Sequence, residues 1–187
     1  MSWNDYYARR KVMNSVLKLA RRAPDAPLPF AEIPRAQELF GTPEQLLLAL
    51  YYRWNLRLLG KLRSTVGGPE DAMDAPPRGE SDNTDLVAQA WRSTFEENPT
   101  LRAVLDAHID VYPDTLIPAL EREQRLLAIT AGLAEPHEPL DDITRVGASF
   151  MALVRHGQER DDRSDKTPRQ RRRSPVGDLL RLLTPAG

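Results

Sequence analysis

Apolar residues recur every three or four positions along most of this chain, and nowhere do they alternate with the two-residue rhythm of a half-buried strand. The spacing predicts helices only. A first helix is expected from Asp5 to Arg22, carried by Tyr6, Val12, Val16 and Ala20 and ended by Pro24, Pro27 and Pro29. A short helix over Phe30 to Leu39 is expected to be interrupted or started late by Pro34. The run Thr42-Pro43-Glu44-Gln45 then combines an N-cap hydroxyl, a proline at the first helical position and Gln at N3, so a long central helix is expected from Pro43 to Ser64. Further helices are predicted over Asp85 to Glu96, Pro99 to Val111 with Asn98 as cap, Pro113 to Ala131 stopped by Gly132, and Asp141 to His156 with Gly157 as the closing glycine. A small amphipathic helix can also form over Val176 to Leu183.

Composition narrows the class of protein. The 187 residues include no cysteine, which excludes a disulfide scaffold, a thiolate metal site and a cysteine nucleophile. The N-terminus has no apolar run of signal-peptide type, and the longest apolar stretch, Leu46 to Tyr52, is too short to span a bilayer. A cytoplasmic protein with no membrane partner is the expectation. The net charge of −1 conceals an uneven distribution. Basic residues concentrate in the first 22 positions, in Arg53 to Arg63 and in Arg163 to Arg173, whereas Glu70 to Glu80 is acidic. Neutrality therefore does not exclude contacts with phosphates.

No catalytic constellation emerges from the titratable residues, and the expectation is no enzyme, no cofactor and no metal. His108, His137 and His156 are not spaced to share one ion from a single helix face. The adjacent acids Glu96-Glu97, Asp141-Asp142 and Asp161-Asp162 diverge by about 100° on a helix, which suits solvated faces and helix N-termini. Gly67-Gly68-Pro69 lacks the Lys-Ser/Thr element of a phosphate-binding loop. Tyr51, Trp54, Trp91, Phe95, His108, Phe150 and Met151 are candidates to line a ligand cavity between helices. The same periodic residues equally suit a filled core.

Beyond these patterns, the order of elements resembles that of TetR-family transcriptional regulators. The match is carried by a basic first helix (RRKVMNSVLKLARR) and by Phe40, Gly41, Thr42, Glu44, Leu46 and Leu47 within LFGTPEQLLLALYYRW, then by AWRSTFEENPTLRAVLDAH and two long helices. The resemblance implies an all-α, TetR-like helical bundle with a small N-terminal and a larger C-terminal domain. It places the N-terminal region and connecting helix in residues 1–60, a ligand-binding and dimerisation domain in 61–157, and a charged tail in 158–187. It further implies a homodimer through residues 113–131 and 141–156, sensing a small apolar ligand. Arg9, Arg10 and Lys11 on the first helix are candidate DNA contacts, and Gln45 and Arg53 would join them if AQELFGTPEQLLLALYYR were itself a helix-turn-helix.

Length argues against base reading. Sixteen residues separate Arg22 from Leu39, and Pro24, Pro27, Pro29 and Pro34 lie among them. One short helix fits there; a helix, a turn and a recognition helix do not. Two expectations follow: a dimeric TetR-like regulator, or a TetR-derived interaction protein that lost sequence-specific DNA binding and uses its C-terminal tail for a protein partner.

Overall fold

The fold is all-α. A computed structural model describes residues 3–66 and 80–166, with side chains over 3–66 and 83–157, and seven helices and no strand occur among them. They are α1 (Trp3–Ala20), α2 (Ala36–Phe40), α3 (Pro43–Val66), α4 (Glu80–Glu97), α5 (Pro99–Ala107), α6 (Pro113–Thr130) and α7 (Leu140–Lys166). Two units divide the chain, residues 1–154 and 155–187. The expected domain boundary near residue 60 falls inside α3. The anticipated terminal helix Val176 to Leu183, the basic run 167–173 and most of the acidic loop lie outside the described residues.

Local chemistry explains most of the helix ends. The Thr42 hydroxyl accepts the Gln45 N–H at 3.4 Å, satisfying one orphan donor at the start of α3. Hydrogen bonds from its own backbone and from Thr42 hold the Glu44 carboxyl below the usual carboxylate range. Pro99 and Pro113 each occupy the first turn of their helix, where no amide hydrogen is needed. Asn98 stands at the N-cap position of α5, yet its side chain donates backward to the Thr94 carbonyl at 2.9 Å. It therefore ties off α4 instead of capping α5. Gly132 closes α6 with φ 73°, while the Leu133 N–H reaches the Ala128 carbonyl and the Gly132 N–H reaches that of Ile129. This is a Schellman arrangement, and the positive φ is why glycine stands there.

Four expected elements differ by more than two residues, and the first of them, α4, begins at Glu80, five residues before the expected Asp85. The short helix over Phe30 to Leu39 shrinks to α2, because Phe30, Ile33 and Ala36 take turn hydrogen bonds and Arg35, just after Pro34, adopts a left-handed φ of 68°. α5 ends at Ala107, since the next amides tighten into three-residue bonds from His108 to Leu105 and from Ile109 to Asp106. Gly157 does not stop α7, which continues to Lys166; unlike Gly132, it keeps a negative φ.

α3 is the central element. Its buried residues Leu46, Leu47, Leu50, Tyr51, Trp54, Leu58 and Leu62 cover more than one face, and α2, α4, α5 and α6 all pack on it. α1 lays a narrow stripe of Val12, Val16 and Ala20 into the same core and touches α2 and α5. α6 and α7 approach so closely at Gly147 that a Cβ built there would overlap the Gln124 backbone carbonyl.

That contact reverses the ordinary glycine rule. Gly147→Ala is expected to destabilise by about 1–3 kcal/mol through overpacking against α6. Gly60→Ala, in the interior of α3 with open space at its Cβ, is expected to stabilise by about 0.5–1 kcal/mol. Urea denaturation of both variants checks the pair; equal effects would contradict the close approach.

Candidate functional site

Where α3, α4, α5 and α6 meet, the core contains charges. Glu123 of α6 is fully buried, and its carboxylate receives four hydrogen bonds from three other helices. Arg102 Nη1 donates to both oxygens at 2.8 and 2.9 Å, Trp91 Nε1 donates to Oε1 at 3.0 Å, and the Tyr51 hydroxyl donates to Oε2. Arg102 is itself fully buried. Its Nε also donates to the part-exposed Asp106 carboxylate at 3.0 and 3.1 Å, one turn further along α5. The guanidinium lies over the rings of Trp54 and Trp91, with Cζ 5.1 and 5.7 Å from their centroids. Trp54 meets Trp91 edge to face, and Phe95 stacks on Trp91.

The electrostatics follow from this geometry. Burial alone would lower the Arg102 pKa, but Glu123 and Asp106 outweigh it and raise the value, so the guanidinium stays charged. Burial, then the Glu123 carboxylate, pushes the Tyr51 hydroxyl far above the ordinary tyrosine value. Tyr51 therefore acts as a fixed donor. Charged groups on apolar stripes are the sequence signal for such a network: Glu123 falls between Ala119 and Leu127 on the buried face of α6, and Arg102 beside Leu101, Val104 and Leu105. That signal marks Arg102 and Glu123, neither of them a candidate site residue, and not Asp106, which is part-exposed.

The seven candidate pocket residues are dispersed. Tyr51, Trp54 and Trp91 surround the ion pair, with Phe95 packed against them. His108 is buried at α5's end, its Nδ1 2.8 Å from the Val104 carbonyl and its ring stacked on Tyr112. It borders a small cavity of about 290 Å³ under the proline-rich segment. Met151 belongs to the main core, and Phe150 lines a separate groove between α4 and α7. Among the described residues no group of histidines and carboxylates could hold a metal ion. No described helix is long and apolar enough to cross a membrane.

The candidate DNA contacts also separate. Arg9 is engaged in packing, its Cζ 4.8 Å over the Phe40 ring. Gln45 is exposed in the first turn of α3, about 12 Å along the axis from Arg53. Arg10, Lys11 and Lys18, with Tyr7, Asn14 and Ser15, line a shallow depression along α1. Arg53 joins this face from α3 by donating to Asn14 Oδ1 at 2.7 Å. Arg57 lies one turn on from Arg53, and each is held below the usual guanidinium value, first by desolvation. Repulsion from Arg10 contributes to both, whereas Glu97, bound to Lys61 at 2.6 Å, favours the Arg57 charge. Arg10 and Arg53 have no acidic hydrogen-bond partner among the described residues.

By its architecture this is an all-α helical-bundle protein with an ionic core. No family model matches the chain, and no curated protein or solved structure matches it.

Stability should depend on alkaline pH through Tyr51. Because the folded state keeps that proton and the unfolded chain releases it near pH 10, stability is complete below about pH 10 and falls as pH rises above it. Tyr51→Phe, which leaves Glu123 with three hydrogen bonds, should cost about 1–2 kcal/mol at pH 7 and flatten the alkaline loss. Denaturation between pH 7 and 11 checks both; an unchanged alkaline slope in the variant would contradict the assignment.

Proposed function

We propose that the chain is a non-enzymatic, helical regulatory protein that contacts nucleic acid through phosphates on the α1/α3 face and does not read base edges. The observation carrying this reading is the convergence of Arg10, Arg53 and Arg57, whose mutual repulsion acidic partners leave uncompensated at Arg10 and Arg53. A polyanion would relieve that repulsion. Residues 23–40 hold a single helix, α2, of five residues, joined to α3 by Gly41 and Thr42. Such a segment is too short for the two-helix unit that presents a recognition helix. The first turn of α3 carries Glu44, whose charge disfavours approach to phosphates. This supports a TetR-like body without sequence-specific reading over a base-reading regulator.

The homodimer belongs to the same proposal. Exposed Ile117 and Ile129 on α6 and Leu140 at the start of α7 supply apolar surface for a second copy through residues 113–131 and 141–156. The alternative is an interaction protein with no nucleic-acid contact, whose partner binds the C-terminal tail.

Fluorescence anisotropy with two unrelated duplex DNAs across a salt series tests the proposal. Similar affinity for both sequences is expected, with log K falling linearly in log salt and a slope shallower by about 0.9 for each of Arg53→Gln and Arg57→Gln. Absence of binding at the lowest salt would leave the interaction-protein alternative. A strong preference for one sequence would overturn the absence of base reading.

A further inference from the structure

A groove of about 590 Å³ runs between α4 and α7, bordered by Leu133 just beyond α6. Its walls are mostly apolar, formed by Ala88, Val146, Phe150, Leu153 and Val154. Leu153 is 72% exposed at the lip although it is a leucine in mid-helix, so the groove presents apolar surface directly to solvent. Two arginines border it, and they differ. Arg145 is paired with Asp142 at 3.0 Å. Arg92 is half-buried, its Nε is sealed from solvent with no hydrogen-bond partner, and among the described residues it makes no ion pair. Arg92 is thus a cation at the groove without a contact anion, and a carboxylate bound there would supply one. Asp85 also borders the groove, but it stands seven residues before Arg92, about 10 Å back along α4. No ion pair joins Arg92 to Asp85.

We propose that this groove binds an amphiphile with one carboxylate, its aliphatic chain on the Phe150–Val154 wall and its carboxylate on Arg92. The volume lies within the range of small-molecule sites, and one placed cation in an apolar cleft is the usual way such sites fix orientation. The arginine fork suits a carboxylate bidentately. This site is separate from the α1/α3 basic face, so it stands or falls independently of nucleic-acid binding; its α7 wall lies within residues 141–156, so it requires that a dimer form through α6 and leave the groove open.

Isothermal titration with dodecanoate, below its micellar concentration and at fixed salt, tests the proposal, with dodecanol and dodecyltrimethylammonium as comparison ligands. Saturable binding of one dodecanoate per chain is expected, with the other two at least about tenfold weaker. Arg92→Gln should weaken dodecanoate about tenfold while leaving dodecanol binding and the thermal midpoint unchanged. Arg10→Gln, on the basic face, should leave dodecanoate binding unaltered. Equal binding of all three ligands, no saturable binding, or full dodecanoate affinity in Arg92→Gln would overturn the proposal. So would sedimentation showing a dimer that Leu153→Glu dissolves, since a second copy would then be the occupant.

Discussion

The Glu123 carboxylate is the interaction on which the rest of this structure depends. Buried at a four-helix junction, it takes donors from α3, α4 and α5 while standing on α6, so one side chain fixes the mutual register of four helices. Apolar packing alone is non-directional and tolerates rotation of helices about their axes. A carboxylate accepting four hydrogen bonds from three specified donors does not. A buried ion pair by itself is weak evidence of stability, because desolvation offsets much of the Coulomb attraction. Here the four hydrogen bonds to Glu123, together with Asp106 and with Trp54 and Trp91 against the guanidinium, make the arrangement tenable although Arg102 Nη2 has no hydrogen-bond partner.

This core also decides where ligands can bind. The space among the central helices, which aromatic periodicity left open as cavity or filling, holds Tyr51, Trp54 and Trp91 around Arg102 and Glu123. The two surfaces proposed to bind ligands lie at the periphery of the first unit. One is the α1/α3 face, where cations meet without enough acid; the other is the α4/α7 groove, where apolar surface meets an arginine that makes no ion pair. The two surfaces have opposite chemistry and share no lining residue.

Helix boundaries set by local chemistry were legible in the sequence. Pro43, Pro99 and Pro113 begin helices and Gly132 ends one, because proline's missing amide and glycine's positive φ act within a single turn. Gly157 shows the limit of the same rule, since glycine is compatible with either helical hand and α7 runs through it. α2 begins only at Ala36, the late start that Pro34 predicts, with a left-handed turn at Arg35 between the two. The ionic network was illegible as a network: Arg102 and Glu123 each stand on an apolar stripe, but the sequence does not state that those stripes face each other. The basic residues of α1 were visible, whereas their junction with Arg53 and Arg57 depends on the tertiary contact through Asn14.

The central claim is that Arg102 and Glu123 act as one unit in holding the core. A double-mutant cycle with Arg102→Met, Glu123→Leu and the combined variant, read by urea denaturation at pH 7, tests it most directly. Arg102→Met leaves the Glu123 carboxylate buried without its cation and should cost about 3–5 kcal/mol; Glu123→Leu leaves Arg102 with Asp106 alone and should cost less, while the double variant, which frees only the part-exposed Asp106, should cost far less than the sum of the two. Additive losses would contradict the account, because they would mean that the two side chains stabilise the fold independently.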